Sequence, residues 1–571
     1  MTRRTLWLLA VVCAGLWPAR PSEDSLHAGP VIRALQQELA RSMQVLSRQP
    51  DPAYFLCYEV SETSSLEIEA DMGALRSSRA FRSRYLDVDV RIGNYDFDNT
   101  HQIRGTQESA AAAGFVEPLA MPLDDDDDAL KSLIWLRTDR LYRAAVERWI
   151  QVQANRTVKA AEETSSPDFS REPVRTAVFP LASLAVPPEE WAARVRRYSA
   201  MFRESPGLLE GSVSFSAHAT NKYIVNSEGT SVQCGTTGAR LIVLARTRAE
   251  DGMDLYRVEA FDSHSAAGIP GDDTVRNAVQ RMVRDLEKLR RAPVIEPYTG
   301  PAILSGRAAG VFFHEIFGHR IEGQRQKNDN EGQTFSKQIG KGVLPEFLTV
   351  VDDPTAEAEA GADLNGYYRF DDEGVPAAPV TIVDGGILKN FLLSRLPAAG
   401  FEASNGHGRK APGYRAVGRQ ANLIVRASRT VPDESLRQML VDEVRKQGKP
   451  FGLLFSDISG GFTTTVRSTP QTFQVTPIMV YRVYPDGRPD ELVRGVDLIG
   501  TPLVSFSRIV AAGDRPEVFN GYCGAESGSV PVSAVSPAIL TSQIEVQKKP
   551  NSSDRVPILP PPPVAPEGAR P

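Results

Sequence analysis

The segment Val311-Phe312-Phe313-His314-Glu315-Ile316-Phe317-Gly318-His319-Arg320 sets two imidazoles five positions apart, with a carboxylate beside the first. Two neutral nitrogen ligands and an acid near the metal-bound water are what a hydrolytic metal site requires. The spacing is not that of the common two-histidine helix motif, whose ligands stand four apart and about 40° out of register. Five apart, the rings fall roughly 140° apart on an ideal helix. A π-type turn of ~4.4 residues would bring them back to about 50°, and Gly318 is a residue that tolerates such a deformation. The spacing therefore predicts a helix deformed over residues 316–319. The competing reading is two hydrogen-bonded histidines on a partly apolar helix.

The rest of the 571-residue chain must hold that segment in place. At roughly 100 to 200 residues per domain, the length predicts two to four domains. Hydrophobic residues make up 41% and charged residues 24%, which excludes wholesale disorder, a collagen repeat and a coiled coil. The 65 basic and 71 acidic residues leave a formal charge of −6, with no basic footprint for nucleic acid and no polybasic patch for a membrane. Partners of those two kinds are not expected.

Val31, Leu35, Leu39, Met43 and Leu46 recur at helical spacing. Residues 54–60 read as a strand, and 86–92 alternate apolar with polar, the pattern of a half-buried strand. Five aspartates at 124–128 precede a helical pattern from Leu130 to Trp149, where the helix dipole favours carboxylates; the run lacks the alternating ligands and turn glycine of a calcium loop. Further helices are predicted over 191–202 and 275–289, with strands at 211–218 and 223–226. Prolines and a glycine at 291–300 mark a boundary. Beyond it, strands at 348–351, 380–383, 421–425 and 478–483 accompany one strong helical pattern at 434–446. The expected fold class is α+β: a mixed N-terminal domain over 27–292, then a β-rich catalytic domain over 298–547 that carries the histidine helix. Residues 548–571, with prolines at 557 and 560–563, are expected to form a disordered tail.

Arg3 and Arg4 precede an apolar run over 6–17, and polarity returns at 18–23, which reads as a signal peptide over 1–20. The run is too short for the ~20 residues of a spanning helix. The expectation is export to the periplasm or beyond, without a membrane anchor. Cys13 follows Val12, where lipoprotein processing requires a small residue, so a lipid anchor is set aside. Once Cys13 leaves with the leader, Cys57, Cys234 and Cys523 remain, an odd number in a compartment that favours disulfides.

The histidine segment resembles the signature of the TldD/PmbA family of metallopeptidases, also called the modulator of DNA gyrase family. The resemblance continues through Ile321-Glu322-Gly323, Phe335-Ser336 with Ile339-Gly340, Thr349 to Asp353, and Asp372-Glu373-Gly374-Val375-Pro376. It extends to Asp384-Gly385-Gly386-Ile387-Leu388, Arg419 with Asn422, Tyr522-Cys523-Gly524 and Ser529-Val530-Pro531-Val532; Asn226-Ser227-Glu228-Gly229 is similar as well. The resemblance implies that His314, His319 and Cys523 bind zinc and that Glu315 is the general base. A thiolate beside two imidazoles leaves zinc a position open for water, as in a hydrolytic site. With Cys523 taken by metal, Cys57 and Cys234 remain as the one pair that could form a disulfide, and whether they do is left open, since nothing in the sequence shows that their backbones approach within about 7 Å.

The implied activity is zinc-dependent hydrolysis of peptide bonds in unfolded or extended peptides. The implied assembly is a homodimer, or a heterodimer with a related subunit that lacks the zinc motif. Two departures from the family pattern stand out: 405–409 reads Asn-Gly-His-Gly-Arg where the family has Thr-Gly-Asn before an arginine, and 463–477 differs. His407 is expected on a surface loop, with transition-state stabilisation or ligand exchange as the other reading. The alternatives are an exported binding or assembly protein with a structural zinc, and a zinc amidase acting on non-peptide amides.

Overall fold

The computed structural model describes residues 29–103, 116–158, 166–469, 472–500, 502–549, 556–557 and 559. The leader expected over 1–20, and all but a few residues of the proline-rich tail, lie outside them. The described chain is built on two large sheets.

The first is antiparallel but for one short edge strand, Thr176–Val178, which runs parallel to its neighbour; its order is β2 (Ala74–Ile92), β1 (Ala53–Asp71), β3 (Glu210–Asn226), β4 (Ser231–Arg248), with β5 (Asp254–Ser263) on β4. The short strands Leu119–Ala120 and Thr176–Val178 complete its seven strands. Even-numbered residues of β1 face the helices. Tyr58 and Val60 meet residues of α1 (Pro30–Leu46) and α2 (Asp127–Val158), and Leu66, Ile68 and Ala70 meet residues of α3 (Pro188–Ala200) and α4 (Asp272–Arg291). The aspartate run starts α2 as expected, with Asp126 Oδ1 accepting from Ala129 N at 2.8 Å. The two strands predicted over 211–226 are one continuous strand, because polar Thr220, Asn221 and Lys222 stay in register with both neighbours.

The pairing left open for Cys57 and Cys234 is not made: both thiols are free. Cys57 on β1 pairs with Asn226 of β3, while Cys234 on β4 pairs with Lys222 of the same strand. They stand two strands apart and four residues out of step, about 10 Å across and ~13 Å along. A disulfide needs Cα atoms within about 7 Å.

The second sheet has eleven strands. Five pair in a closed ring: β6 (Tyr298–Leu304), β10 (Gly452–Thr463), β11 (Phe473–Val483), β12 (Val496–Gly500) and β14 (Gly528–Lys548). The ring closes where β14 returns to β6, with Leu540 opposite Ile303. β9 (Asn422–Ala427) then continues from β14 to β7 (Leu348–Asp352) and β8 (Val380–Asp384), and β13 (Ile509–Ala525) forms a hairpin with β14. That hairpin has no alternating signature in the sequence, since Pro516, Pro531 and Pro537 interrupt it. Helix α5 (Gly306–Ile316) follows β6 directly and is buried all round except at Arg307. Phe312 and Phe313 pack edge-on or stacked with Phe473 and Phe506, which fixes the helix against the sheet.

The halves meet through buried charge. Odd-numbered Glu59 and the neighbouring Asp87 receive Lys410, whose Nζ lies 2.7 Å from Glu59 Oε2 and 2.5 Å from Asp87 Oδ2. Lys222 pairs with Asp372, and Arg257 Nη1 donates to Asp457 Oδ2 at 2.5 Å.

Candidate metal centre

Ser305 caps α5, its Oγ accepting from Ala308 N at 3.3 Å. Gly306 and Gly310 let the helix press onto β14, where a Cβ would stand 2.6 Å from Ser536 O and 3.0 Å from Ala534 O respectively. The helix carries His314 and Glu315 in its last turn and ends at Ile316. Phe317 caps the helix, its backbone still right-handed helical but opened to φ −105°, ψ −54° and its N–H donating to Phe313 O, and residues Gly318–Arg320 then form a 3-10 turn. The deformation predicted over 316–319 is present, but it tightens the backbone where a wider π-type turn was expected.

The break leaves three carbonyls without their usual acceptance from the next turn. His314 O accepts from Gln420 Nε2 at 3.4 Å, and Glu315 O and Ile316 O each accept from Arg320 Nη1 at 3.1 Å. Arg320 also donates to Thr463 Oγ1 at 2.8 Å, tying the helix end to β10. Side chains thus replace the lost helical bonds. At Gly318 a Cβ would collide with the Gln420 amide, so a glycine is needed there.

This turn, with the hairpin, brings together the residues read from the sequence. One donor atom from each of His314, His319 and Cys523 lies within 4.8 Å of the others, the one such metal-ligand cluster among the described residues. His319 Nε2 is 3.3 Å from Cys523 Sγ, and Glu315 Oε2 is 4.0 Å from His319 Nε2. All four residues are 6–8% exposed. Cys523 belongs to a small cluster with Val530 and Val532, so one face of the β13–β14 hairpin delivers the sulfur.

The electrostatics suit a metal. Burial works against the Cys523 thiolate, but His319 and His314 outweigh it and hold its pKa well below the usual thiol value. Burial opposes charge on both imidazoles, and the sulfur raises both, His319 the more strongly. Burial lifts Glu315 above the ordinary carboxylate range, against the pull of His314 and His319. Two nitrogens and a thiolate, mutually close and screened from bulk water, fit zinc.

Sequence reasoning assigned no role to several neighbours. Glu322, fully buried, faces His319 Nδ1 at 3.3 Å, and Arg325 Nε donates to it at 2.8 Å. Its spacing of three from His319 is a local signal. Gly461 packs on Glu315 from 146 positions away, and no pattern announces it. His407 corrects an expectation: it is fully buried, with Nε2 3.3 Å from Asp352 Oδ1, and pins its loop to the end of β7. Asp352 earns that place by also accepting from Ala421 N and Asn422 N, at 3.0 and 3.1 Å.

Residues 297–548 match the family model of the PmbA/TldA metallopeptidase C-terminal domain. The chain belongs to the TldD/PmbA family. Among TldD/PmbA relatives, a metalloprotease of Methanocaldococcus jannaschii is 28% identical over 323 residues, which is 56% of this chain and 66% of that protein. A protein of Saccharolobus solfataricus named a zinc metalloprotease TldD homologue is 27% identical over 248 residues, 43% of this chain and 51% of that one. The chain thus spans between half and two thirds of the length of these relatives. The solved structure of TldE from Thermococcus kodakarensis shares the fold, with a TM-score of 0.58 at 12% identity, covering 90% of this chain and all of that one.

Proposed function

We propose that this TldD/PmbA member is an exported zinc metallopeptidase that cleaves unfolded or extended peptides, with His314, His319 and Cys523 as metal ligands and Glu315 as general base. The observation that carries the reading is the convergence of three donor atoms within 4.8 Å beside a buried carboxylate. Zinc bound there supplies a Lewis acid for a peptide carbonyl.

The residues around it would do the rest. Glu315 takes a proton from the attacking water and returns it to the leaving amine. Low exposure at all four residues keeps bulk water out and strengthens each charge interaction. Access to a site this deep would be open to an extended chain and not to a folded one, which is why unfolded peptides are the proposed substrates. Three protein donors with a free acid beside them favour hydrolysis over a closed structural site, which takes four. Pairing, either with a second copy or with a related subunit lacking the zinc motif, is part of the proposal and rests on the family resemblance.

The test is incubation of the zinc-loaded protein with a mixed library of unfolded peptides, with and without chelator, and with a folded protein and its unfolded form as paired substrates. Chelator-sensitive cleavage of the unfolded substrates alone is expected. Cleavage that survives chelation, or equal rates on folded and unfolded forms, would sink the proposal.

A further inference from the structure

We infer that Glu322 and Arg419 form the positioning unit of this metal centre: Glu322 fixes which nitrogen of His319 is free for metal, and Arg419 registers Cys523 opposite it. The inference rests on the zinc reading of the site and says nothing of the substrate.

His319 presents Nε2 to Cys523 Sγ at 3.3 Å and Nδ1 to the Glu322 carboxylate, in hydrogen-bond contact with Oε2 at 3.4 Å and 3.3 Å from Oε1. A carboxylate at Nδ1 holds the ring proton there, leaving the Nε2 lone pair for a metal and fixing the plane of the ring. Glu322 is itself braced. Arg325 Nε donates to its Oε2, and Arg325 is held in turn by Glu331 and Glu526 at 2.9 and 2.7 Å.

Oε1 of Glu322 is different. It is buried without a hydrogen-bond partner, and so is Nε of Arg419, although the two stand 3.4 Å apart. Leaving a buried donor and a buried acceptor unmatched is costly. Their nearness to each other and to His319 Nδ1 puts guanidinium, carboxylate and imidazole into one three-part contact behind the ligand.

The rest of the Arg419 fork explains why an arginine stands there. Nη2 donates to Cys523 O at 2.7 Å, and Nη1 donates to Ser527 Oγ at 2.8 Å and Gly528 O at 3.1 Å. One planar guanidinium therefore reaches from the carboxylate that orients the second ligand to the backbone of the third, 204 residues later in the chain. A lysine is a single point charge and cannot span both.

The experiment measures zinc affinity of the full-length chain by competition with a chromogenic chelator, and the absorption spectrum of the cobalt-substituted protein, for wild type, Glu322→Gln, Arg419→Lys and the double variant. Glu322→Gln is expected to weaken zinc binding about 10- to 100-fold and to shift the cobalt bands. Arg419→Lys should weaken binding too, and the double variant should lose less than the product of the two single losses. Arg419→Lys keeps the charge and serves as an independent arm should Glu322→Gln not fold. Wild-type affinity and an unchanged cobalt spectrum in the folded variants would overturn the inference and leave the zinc reading standing. A wild-type protein that takes up no metal would overturn both.

Discussion

Gly461 lies flat against Glu315: a Cβ on Gly461 would stand 2.9 Å from the Glu315 carboxyl carbon and 3.0 Å from Oε1, closer still to Cγ. The strand therefore leaves, by the absence of one carbon, the space in which the base sits. Gly461→Ala is expected to push the Glu315 carboxylate aside, with peptidase turnover falling at least tenfold while zinc content is unchanged. Full turnover in the folded, zinc-loaded variant would show that Glu315 has room to spare.

Glu315→Gln should retain metal and lose turnover by about 10²- to 10⁴-fold, since it removes a proton acceptor and spares the ligands. Metal analysis alongside single-turnover peptide cleavage checks it. Most of the activity persisting would place the base elsewhere.

Lys410 bridges the two halves, and its partners Glu59 and Asp87 depend on it. Lys410→Met removes the nearer cation from Glu59, leaving Lys222 at 3.8 Å. It also removes the only ion-pair partner of Asp87 among the described residues, while Asp87 keeps its bond from Gly413 N. The expected loss is about 3 kcal/mol, the low end of the cost of breaking a buried pair. Urea unfolding at neutral pH reads the loss. A variant as stable as wild type would mean that water reaches these carboxylates.

Burial raises the pKa of Glu373 to about 7, against the pull of the Arg395 backbone N–H and guanidinium. Its folded pKa exceeds its unfolded one, so between about pH 4.5 and 7 the native state holds a proton that the unfolded chain has released, and stability falls as pH rises through that window. Glu373→Gln keeps an acceptor for Arg395 N, which Glu373 Oε2 meets at 2.6 Å. The variant should be the more stable protein at pH 8, by on the order of 1–3 kcal/mol, with the difference vanishing near pH 4. Parallel melting curves across that range would disprove the shift.

What the sequence shows and hides follows from the range of each interaction. His314, Glu315 and His319 are legible because they share one turn and its neighbour, and even the break between them can be argued from ring angles. Its sense cannot, because a 3-10 turn is viable there only once Gln420 and Arg320 take over the carbonyls at His314, Glu315 and Ile316. Cys523 is found through resemblance alone, since its approach depends on β14 meeting β6. His407 reads as a surface residue between two glycines, and Asp352, 55 positions away, is what buries it. The alternation over 86–92 marks a real strand, whereas β13 and β14 pass unnoticed because proline and glycine mask their period.

The ring of strands has a consequence for timing. β6, which leads into the histidine helix, is made early in the second half, yet it closes only against β14, the last strand of the described chain, and the sulfur arrives on the hairpin that β14 completes. A ribosome working from the N-terminus releases both imidazoles long before the thiolate. Any copy cut short before Cys523 therefore lacks a complete donor set, and the proposed metal site is assembled only once the hairpin carrying the sulfur has formed.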